Sequence, residues 1–306
     1  MTSMRATLLG ITAILLWSTI VGLMRQVTFY FGPVGGSALV YSAASLVLVL
    51  TIRFPKLNTF PKAYLYLGTL LFVAYEICLS LSLGFSTSNI QAIQIGLINY
   101  LWPSITLLFA VLLNGQRPKA MMLIGMAISV LGISHVLGQG QGDLWQSMLA
   151  NLRENPLSFA LAFSGAIIWS LYCVLTQRLA NGCNGITLYF ILTAIALWSG
   201  FVLTPQPHLH FTATSIGALC LLACAMGLGY AAWNAGILHG NITLLATLSY
   251  FIPVISSLFS SLWLSQPLNN MFWIGALLVC AGSLVCWKAG LSRSKISANK
   301  NSIENN

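Results

Sequence analysis

The chain has 306 residues, of which 58% are hydrophobic and 6% charged, with a mean hydropathy of +0.86. Soluble domains carry about 25% charged residues, so this composition excludes a soluble globular protein and reads as an integral membrane protein. The formal net charge of +9 does not point to nucleic acid, because Lys and Arg sit at the ends of apolar runs, where they act on membrane topology.

Read in order, ten apolar stretches are each long enough to cross about 30 Å of hydrocarbon as a helix. They are 6–25, 34–53, 63–84, 91–113 and 119–138, then 158–179, 185–204, 214–238, 241–264 and 271–288. The first reads as a span and not as a cleaved leader: it has one Arg, no small-residue cleavage site, and a counterpart in the sixth. Between the fifth and sixth, residues 139–157 are first polar and Gly-rich. They then carry Leu144, Trp145, Met148, Leu149 and Leu152 at helical spacing, as expected of a short helix lying on the outer surface. The segment 291–306 is rich in Ser, Asn and Lys and is expected to be a disordered cytosolic tail.

The two sets of five spans echo one another. Asn99-Tyr100-Leu101-Trp102-Pro103 returns 150 residues later as Ser249-Tyr250-Phe251-Ile252-Pro253, and Gln116, Gly125 and Gly132 are answered by Gln266, Gly275 and Gly282. Leu16-Trp17-Ser18 is answered by Ile168-Trp169-Ser170 at an offset of 152. The organisation is therefore a first five-span unit over 1–138, an outer linker over 139–157, and a second unit over 158–290. With the N-terminus in the cytosol, Arg5, Arg53, Lys56, Lys62, Arg117, Lys119, Arg178, Lys288, Arg293, Lys295 and Lys300 fall inside, and only Arg25 and Arg153 outside. This bias places both termini in the cytosol. An odd number of spans per unit makes the second copy cross in the opposite sense, so the fold class is all-α, ten transmembrane helices in two inverted repeats.

Pro103 and Pro253 each lie near the middle of a span. Each removes a backbone hydrogen bond and frees the carbonyl four residues earlier, at Asn99 and Ser249. Hydrocarbon tolerates a free carbonyl only where it faces protein or a wet cavity. Two repeat-related breaks mark a polar site at the midplane, unless both prolines merely bend helices for packing. Trp17, Tyr75, Tyr100, Trp102, Trp169, Tyr172 and Tyr250 lie at about that depth, where their polar atoms need interior partners or water. Trp169 and Tyr172 share a helix face, as do Asn99 and Trp102. These rings suit an aromatic-lined cavity; the bland alternative is a packed core.

Glu76 is the only acidic residue inside any span. It lies about 20 Å from the inner surface at 1.5 Å per residue, where a bare carboxylate is costly. It admits three readings: a structural hydrogen-bond anchor, a partner for a substrate ammonium, or a proton-coupling group, with Arg25 the nearest cation by depth. Gly125, Ser129 and Gly132, with Gly275, Val279 and Gly282, read as packing seams, as do Ala225, Gly229, Ala232 and Gly236. The seven Cys read as buried small hydrophobes. His208 and His210 form an H-x-H with no third ligand, so no metal is expected. Nucleophile elbows and phosphate loops are absent, and neither an enzyme nor a cofactor is expected. A transporter leads, with a membrane-embedded enzyme or a scaffold subunit as rivals.

Several runs are more specific: Leu16-Trp17-Ser18-Thr19, Gly32-Pro33-Val34-Gly35-Gly36, Tyr75-Glu76-Ile77-Cys78-Leu79, Asn99-Tyr100-Leu101-Trp102-Pro103, Asn114-Gly115-Gln116, Asn184-Gly185-Ile186-Thr187, and the stretch from Tyr230-Ala231-Ala232-Trp233-Asn234 to His239-Gly240-Asn241. On these the chain resembles the drug/metabolite transporter superfamily, and within it the bacterial inner-membrane exporters of aromatic amino acids. The resemblance implies a basket of ten helices around a central cavity reached alternately from either side. Spans one, three, four, six, eight and nine would line it, and Trp233 would join the other rings there. It implies export of Phe, Tyr, Trp and other apolar amino acids across the cytoplasmic membrane; protons enter as a candidate coupling partner only through Glu76. A broader metabolite or drug exporter of the same fold is the alternative.

Overall fold

The computed structural model describes residues 2–113, 120–138, 144–205 and 208–304, and among them all regular structure is helical. In chain order these are α1 (Ser3–Ser18), α2 (Ile20–Phe31), α3 (Pro33–Ile52), α4 (Lys62–Gly84), α5 (Asn89–Asn99), α6 (Trp102–Leu113) and α7 (Ala120–Leu137). They continue with α8 (Leu144–Glu154), α9 (Pro156–Leu179), α10 (Ile186–Leu203), α11 (Ala213–His239), α12 (Ile242–Ser249), α13 (Ile252–Trp263) and α14 (Asn270–Glu304). Eight stretches are long and apolar enough to cross a membrane, counting α5 and α6 together as Asn89–Leu113; α1 and α2, as one bent pair, make nine.

Local chemistry sets the ends of these helices. Gly32, at φ 74°, turns the chain so that Pro33 can open α3, a left-handed conformation and a first-turn proline each suited to its place. Ser88, Asn155 and Thr212 accept the backbone N–H of Gln91, Ser158 and Ser215, capping α5, α9 and α11. The first span outruns its expected end at residue 25 and continues to Phe31, with a 42° bend at Thr19. No proline sits there. Ser18 and Thr19 instead donate their hydroxyls back to the carbonyls of Ile14 and Leu16, at 2.8 and 2.7 Å, and such back-bonding bends helices. The backbone of α14 stays helical to Glu304, past an apolar part that ends at Ala289. A disordered tail is expected there from residue 291, but no Gly or Pro follows Gly290 to stop the helix.

The packing is that of a protein solvated by lipid. Leu8, Leu15, Leu50, Leu70, Val130, Ile195, Leu258 and Leu277 are all half or more exposed, whereas Ser37, Ser80, Ser158, Ser170 and Thr193 are buried. Within hydrocarbon the interior is where polar groups find partners. The chief helix pairings are α1 with α11, α4 with α9, α3 with α10, and α7 with α14. Small residues make the last of these close: a Cβ added at Gly132 would come within 2.6 Å of the Gly275 carbonyl oxygen, and one at Gly125 within 2.7 Å of the Gly282 oxygen. Along α11, Gly229 meets the indole of Trp17, and Gly236 meets the backbone of Gly10. The short α8 sets Met148 and Leu152 against the main core and leaves Trp145 and Leu149 exposed.

Candidate functional site

Both midspan prolines end a helix. Pro103 has no N–H to give, so α5 stops at Asn99, and the amides of Tyr100 and Leu101 turn to Leu97 (3.2 Å) and Ile98 (3.1 Å) before α6 begins. At the second break the Phe251 amide turns to Leu248 (3.0 Å), and α13 opens at Ile252 with Pro253 in its first turn. The first break is tied to the other half of the chain: Ser170 on α9 donates to the Trp102 carbonyl at 2.9 Å.

These breaks and the bend at Thr19 border a central cavity of about 80 Å³, measured as space for water centres. That is room for roughly half a dozen waters at ~10–15 Å³ each. Its walls are Trp17, Ile20, Val21 and Met24 from α1 and α2, Tyr41 from α3, and Tyr75, Glu76 and Leu79 from α4. Asn99, Tyr100 and Trp102 at the first break, Trp169 on α9, Met226 and Tyr230 on α11, and Ile252 at the second break complete it. Trp169 is the hub of the rings, with its centroid 4.5 Å from Tyr75, 5.0 Å from Tyr172 and 6.3 Å from Trp102. Trp17 lies 5.1 Å from both Tyr230 and Trp233.

Glu76 is 1% exposed. Its two oxygens accept separate phenol hydrogens, from Tyr41 at 2.5 Å and Tyr230 at 3.0 Å. Arg25 is not its partner: that guanidinium donates to Asn89 at 3.4 Å. Asn99, 5% exposed, donates its amide to the Tyr75 hydroxyl at 3.4 Å and leaves its carbonyl oxygen buried with no partner. The Trp17 indole N–H is likewise buried and unpartnered.

Of the residues singled out in the sequence, Trp17, Tyr75, Glu76, Asn99, Tyr100, Trp102 and Trp169 meet at this cavity. Three do not line it. Tyr172 packs behind Trp169 against Phe72 and Tyr189. Trp233 backs Trp17, and Tyr250 turns to Trp287 at 6.2 Å. Depth along a helix is legible from sequence, but which ring stands in front of another is not, nor is the direction Tyr250 takes at the second break.

The profile of the EamA-like transporter family matches residues 4–138 and 157–287. The chain belongs to this family. It is 50% identical over 289 residues to the aromatic amino acid exporter YddG of Salmonella typhimurium (strain 14028s / SGSC 2262), covering 94% of this chain and 99% of that protein. The exporter of the same name from Escherichia coli (strain K12) is 49% identical over the same shares. The one from Ancylobacter novellus is 28% identical over 83% of this chain and 86% of that protein. A solved structure shares the fold, with a TM-score of 0.63 over 93% of this chain and 96% of the other at 24% identity. This EamA-like protein is a multi-pass membrane transporter and not an enzyme. Two of its cavity side chains, Tyr41 and Tyr230, are not among the site residues read from the sequence. Tyr230 opens the Tyr230–Asn241 run and could have been read from it. Tyr41 sits in a helix the resemblance leaves out of the lining, and its one signal is a hydroxyl in the middle of an apolar span.

Proposed function

We propose that this chain exports aromatic and other apolar amino acids across the bacterial cytoplasmic membrane by alternating access. The observation that carries the reading is the ring-walled cavity at the broken helices, in a chain half identical to proteins named as aromatic amino acid exporters. Trp102, Trp169, Tyr75 and Tyr100 would hold the substrate side chain. Burying one aromatic ring contributes roughly 1.5–3 kcal/mol, with about 0.5–1.5 kcal/mol more for each ring pair. Such a pocket binds near the millimolar range, about 4 kcal/mol, which suits release on the far side.

The fold reading is ten spans in two inverted units, with both termini cytosolic. Taking α12 and α13 as one broken span, as α5 and α6 are, supplies the tenth crossing. The helix pairings support it: exchanging the two units turns α1–α11 into α9–α4 and leaves α3–α10 and α7–α14 as self-pairs, as a twofold relation requires. The family profile, matched twice, divides the chain in the same place.

The test is counterflow of labelled phenylalanine in proteoliposomes holding the purified protein. Saturable exchange is expected, competed by Phe, Tyr and Trp more than by Leu. Trp102→Ala, a side chain with one ring neighbour, should weaken aromatic competition by about two- to tenfold, the worth of one ring pair. No saturable exchange in the wild type, or unchanged selectivity in the variant, overturns the reading.

A further inference from the structure

The geometry points to Glu76 and Asn99 as the subsite that receives the substrate's ammonium group, and so separates amino acids from their deaminated analogues. This rests on the proposed aromatic pocket and assigns its polar end.

Four observations converge. First, the cavity wall contains one ionisable carboxylate and no Lys, Arg or His among its lining residues. A buried carboxylate is stable as an anion only beside a cation, and Arg25, the one basic side chain expected near this depth, is turned to Asn89. Second, Tyr41 and Tyr230 each donate one hydrogen to a different oxygen of Glu76. A carboxylate oxygen has two acceptor sites, so one remains on each oxygen after the phenols are served. The two bonds also fix the plane of the group from two separate helices, α3 and α11, so the carboxyl group is held in place. Third, the unpartnered Asn99 carbonyl oxygen is a second acceptor on a residue lining the same cavity. Its amide nitrogen is engaged with the Tyr75 hydroxyl at 3.4 Å. Fourth, Tyr75 and Trp169, with ring centroids 4.5 Å apart and planes tilted by 33°, line the same cavity as Glu76, and ring faces attract a cation.

The spare acceptors on Glu76 and Asn99 suit a primary ammonium, which has three donors and no acceptor, while the one buried, unpartnered donor among these lining side chains is the Trp17 indole N–H. Glu76 repels a carboxylate. The amino-acid carboxylate must then lie away from Glu76, so the same charge that binds one end of the zwitterion orients the other. A structural anchor accounts for the two tyrosine bonds but leaves the Asn99 oxygen unexplained.

The experiment measures competition against phenylalanine counterflow in proteoliposomes, with L-phenylalanine, 2-phenylethylamine and 3-phenylpropionate as probes. In the wild type, 2-phenylethylamine should compete and 3-phenylpropionate should be about ten- to a hundredfold weaker than phenylalanine, the worth of a charge-assisted hydrogen bond. In Glu76→Gln, which keeps the shape and can still bond both tyrosines, that gap should shrink to a few-fold. In Tyr230→Phe, which keeps the charge, it should persist. If 3-phenylpropionate competes as well as phenylalanine in the wild type, the proposal fails without any variant. A full gap in Glu76→Gln, or a gap lost equally in Tyr230→Phe, also overturns it. Absence of any phenylalanine exchange is a different result, and refutes the aromatic pocket itself.

Discussion

Gly229 gives the sharpest test of how the cavity wall is held. It lies on α11 beside Tyr230, and an added Cβ would come within 2.8 Å of the Trp17 indole nitrogen and 3.0 Å of its Cδ1. The indole has little freedom to retreat, since Tyr230 and Trp233 each lie 5.1 Å from it. Gly229→Ala should therefore drive Trp17 by some tenths of an ångström toward the cavity it lines. Two terms oppose. Ala in place of Gly within a helix gains up to about 1 kcal/mol, while overpacking a filled site costs about 1–3 kcal/mol. The net expectation is a loss of about 0–2 kcal/mol, read as thermal unfolding in detergent. Competition against phenylalanine counterflow should show a bias by size, with tryptophan weakened more than phenylalanine, by about fivefold for each 1 kcal/mol. A variant that gains the full helical benefit and keeps its tryptophan-to-phenylalanine ratio would mean that Trp17 swings freely, and that the packing of this wall is not what limits the pocket.

Other expectations are as direct. In Gly275→Ala the new Cβ would meet the Gly132 carbonyl oxygen at 2.6 Å and the Val136 amide at 3.0 Å. Backbone cannot swing aside, so α7 and α14 should part at a cost of about 1–3 kcal/mol, seen as a lower unfolding temperature with transport per folded molecule unchanged. Thr19→Leu, which removes the hydroxyl that bonds Leu16, should straighten the first span. Spin labels at the exposed positions Leu8 and Phe29 should then move apart by about 2 Å at 1.5 Å rise per residue, and an unchanged distance would assign the bend to its neighbours. A reporter fused at Gln146 should score external and one at the C-terminus cytosolic; a cytosolic signal at Gln146 would break the inverted-repeat reading.

Much of the fold was legible because lipid makes the rules strict. Charge-poor runs of about 20 residues must be helices, and nearly every observed span begins or ends within a few residues of its expected place. The prolines at 103 and 253 and the small-residue seams were legible for the same reason, since each removes a specific atom: an N–H or a Cβ. The bend at Thr19 was not, because Ser and Thr interrupt a helix only when their hydroxyls turn back on it, which is a choice of rotamer. Tyr172, Trp233 and Tyr250 lie at the depth read for them, yet face Trp169, Trp17 and Trp287 instead of the cavity. Only Tyr250 sits at a break, where the usual 100° per residue no longer carries across; Tyr172 and Trp233 lie inside the continuous helices α9 and α11 and are screened by Trp169 and Trp17. Tyr41 was missed because its importance lies in its partner, Glu76, 35 residues away.

The same bend shows how far the two units have diverged. Leu16-Trp17-Ser18-Thr19 in the first unit corresponds to Ile168-Trp169-Ser170-Leu171 in the second, yet α9 runs unbroken from Pro156 to Leu179. The difference lies in one hydroxyl. Thr19 turns its own onto Leu16, whereas Leu171 has none, and Ser170 shares its hydroxyl between Ala166 and the Trp102 carbonyl across the interface. So in the second unit the hydroxyl reaches the carbonyl of Trp102, just after the first proline break, and its helix stays straight. In the first unit the Ser18 hydroxyl stays on Ile14 of its own helix, the span bends at Thr19, and Trp17 lies against Gly229. Two similar sequence runs thus give an asymmetric cavity: one tryptophan packs on α11, and the other among rings on a straight helix. An asymmetric pocket is what a zwitterion with one apolar side chain requires, because its ammonium and its ring need different walls.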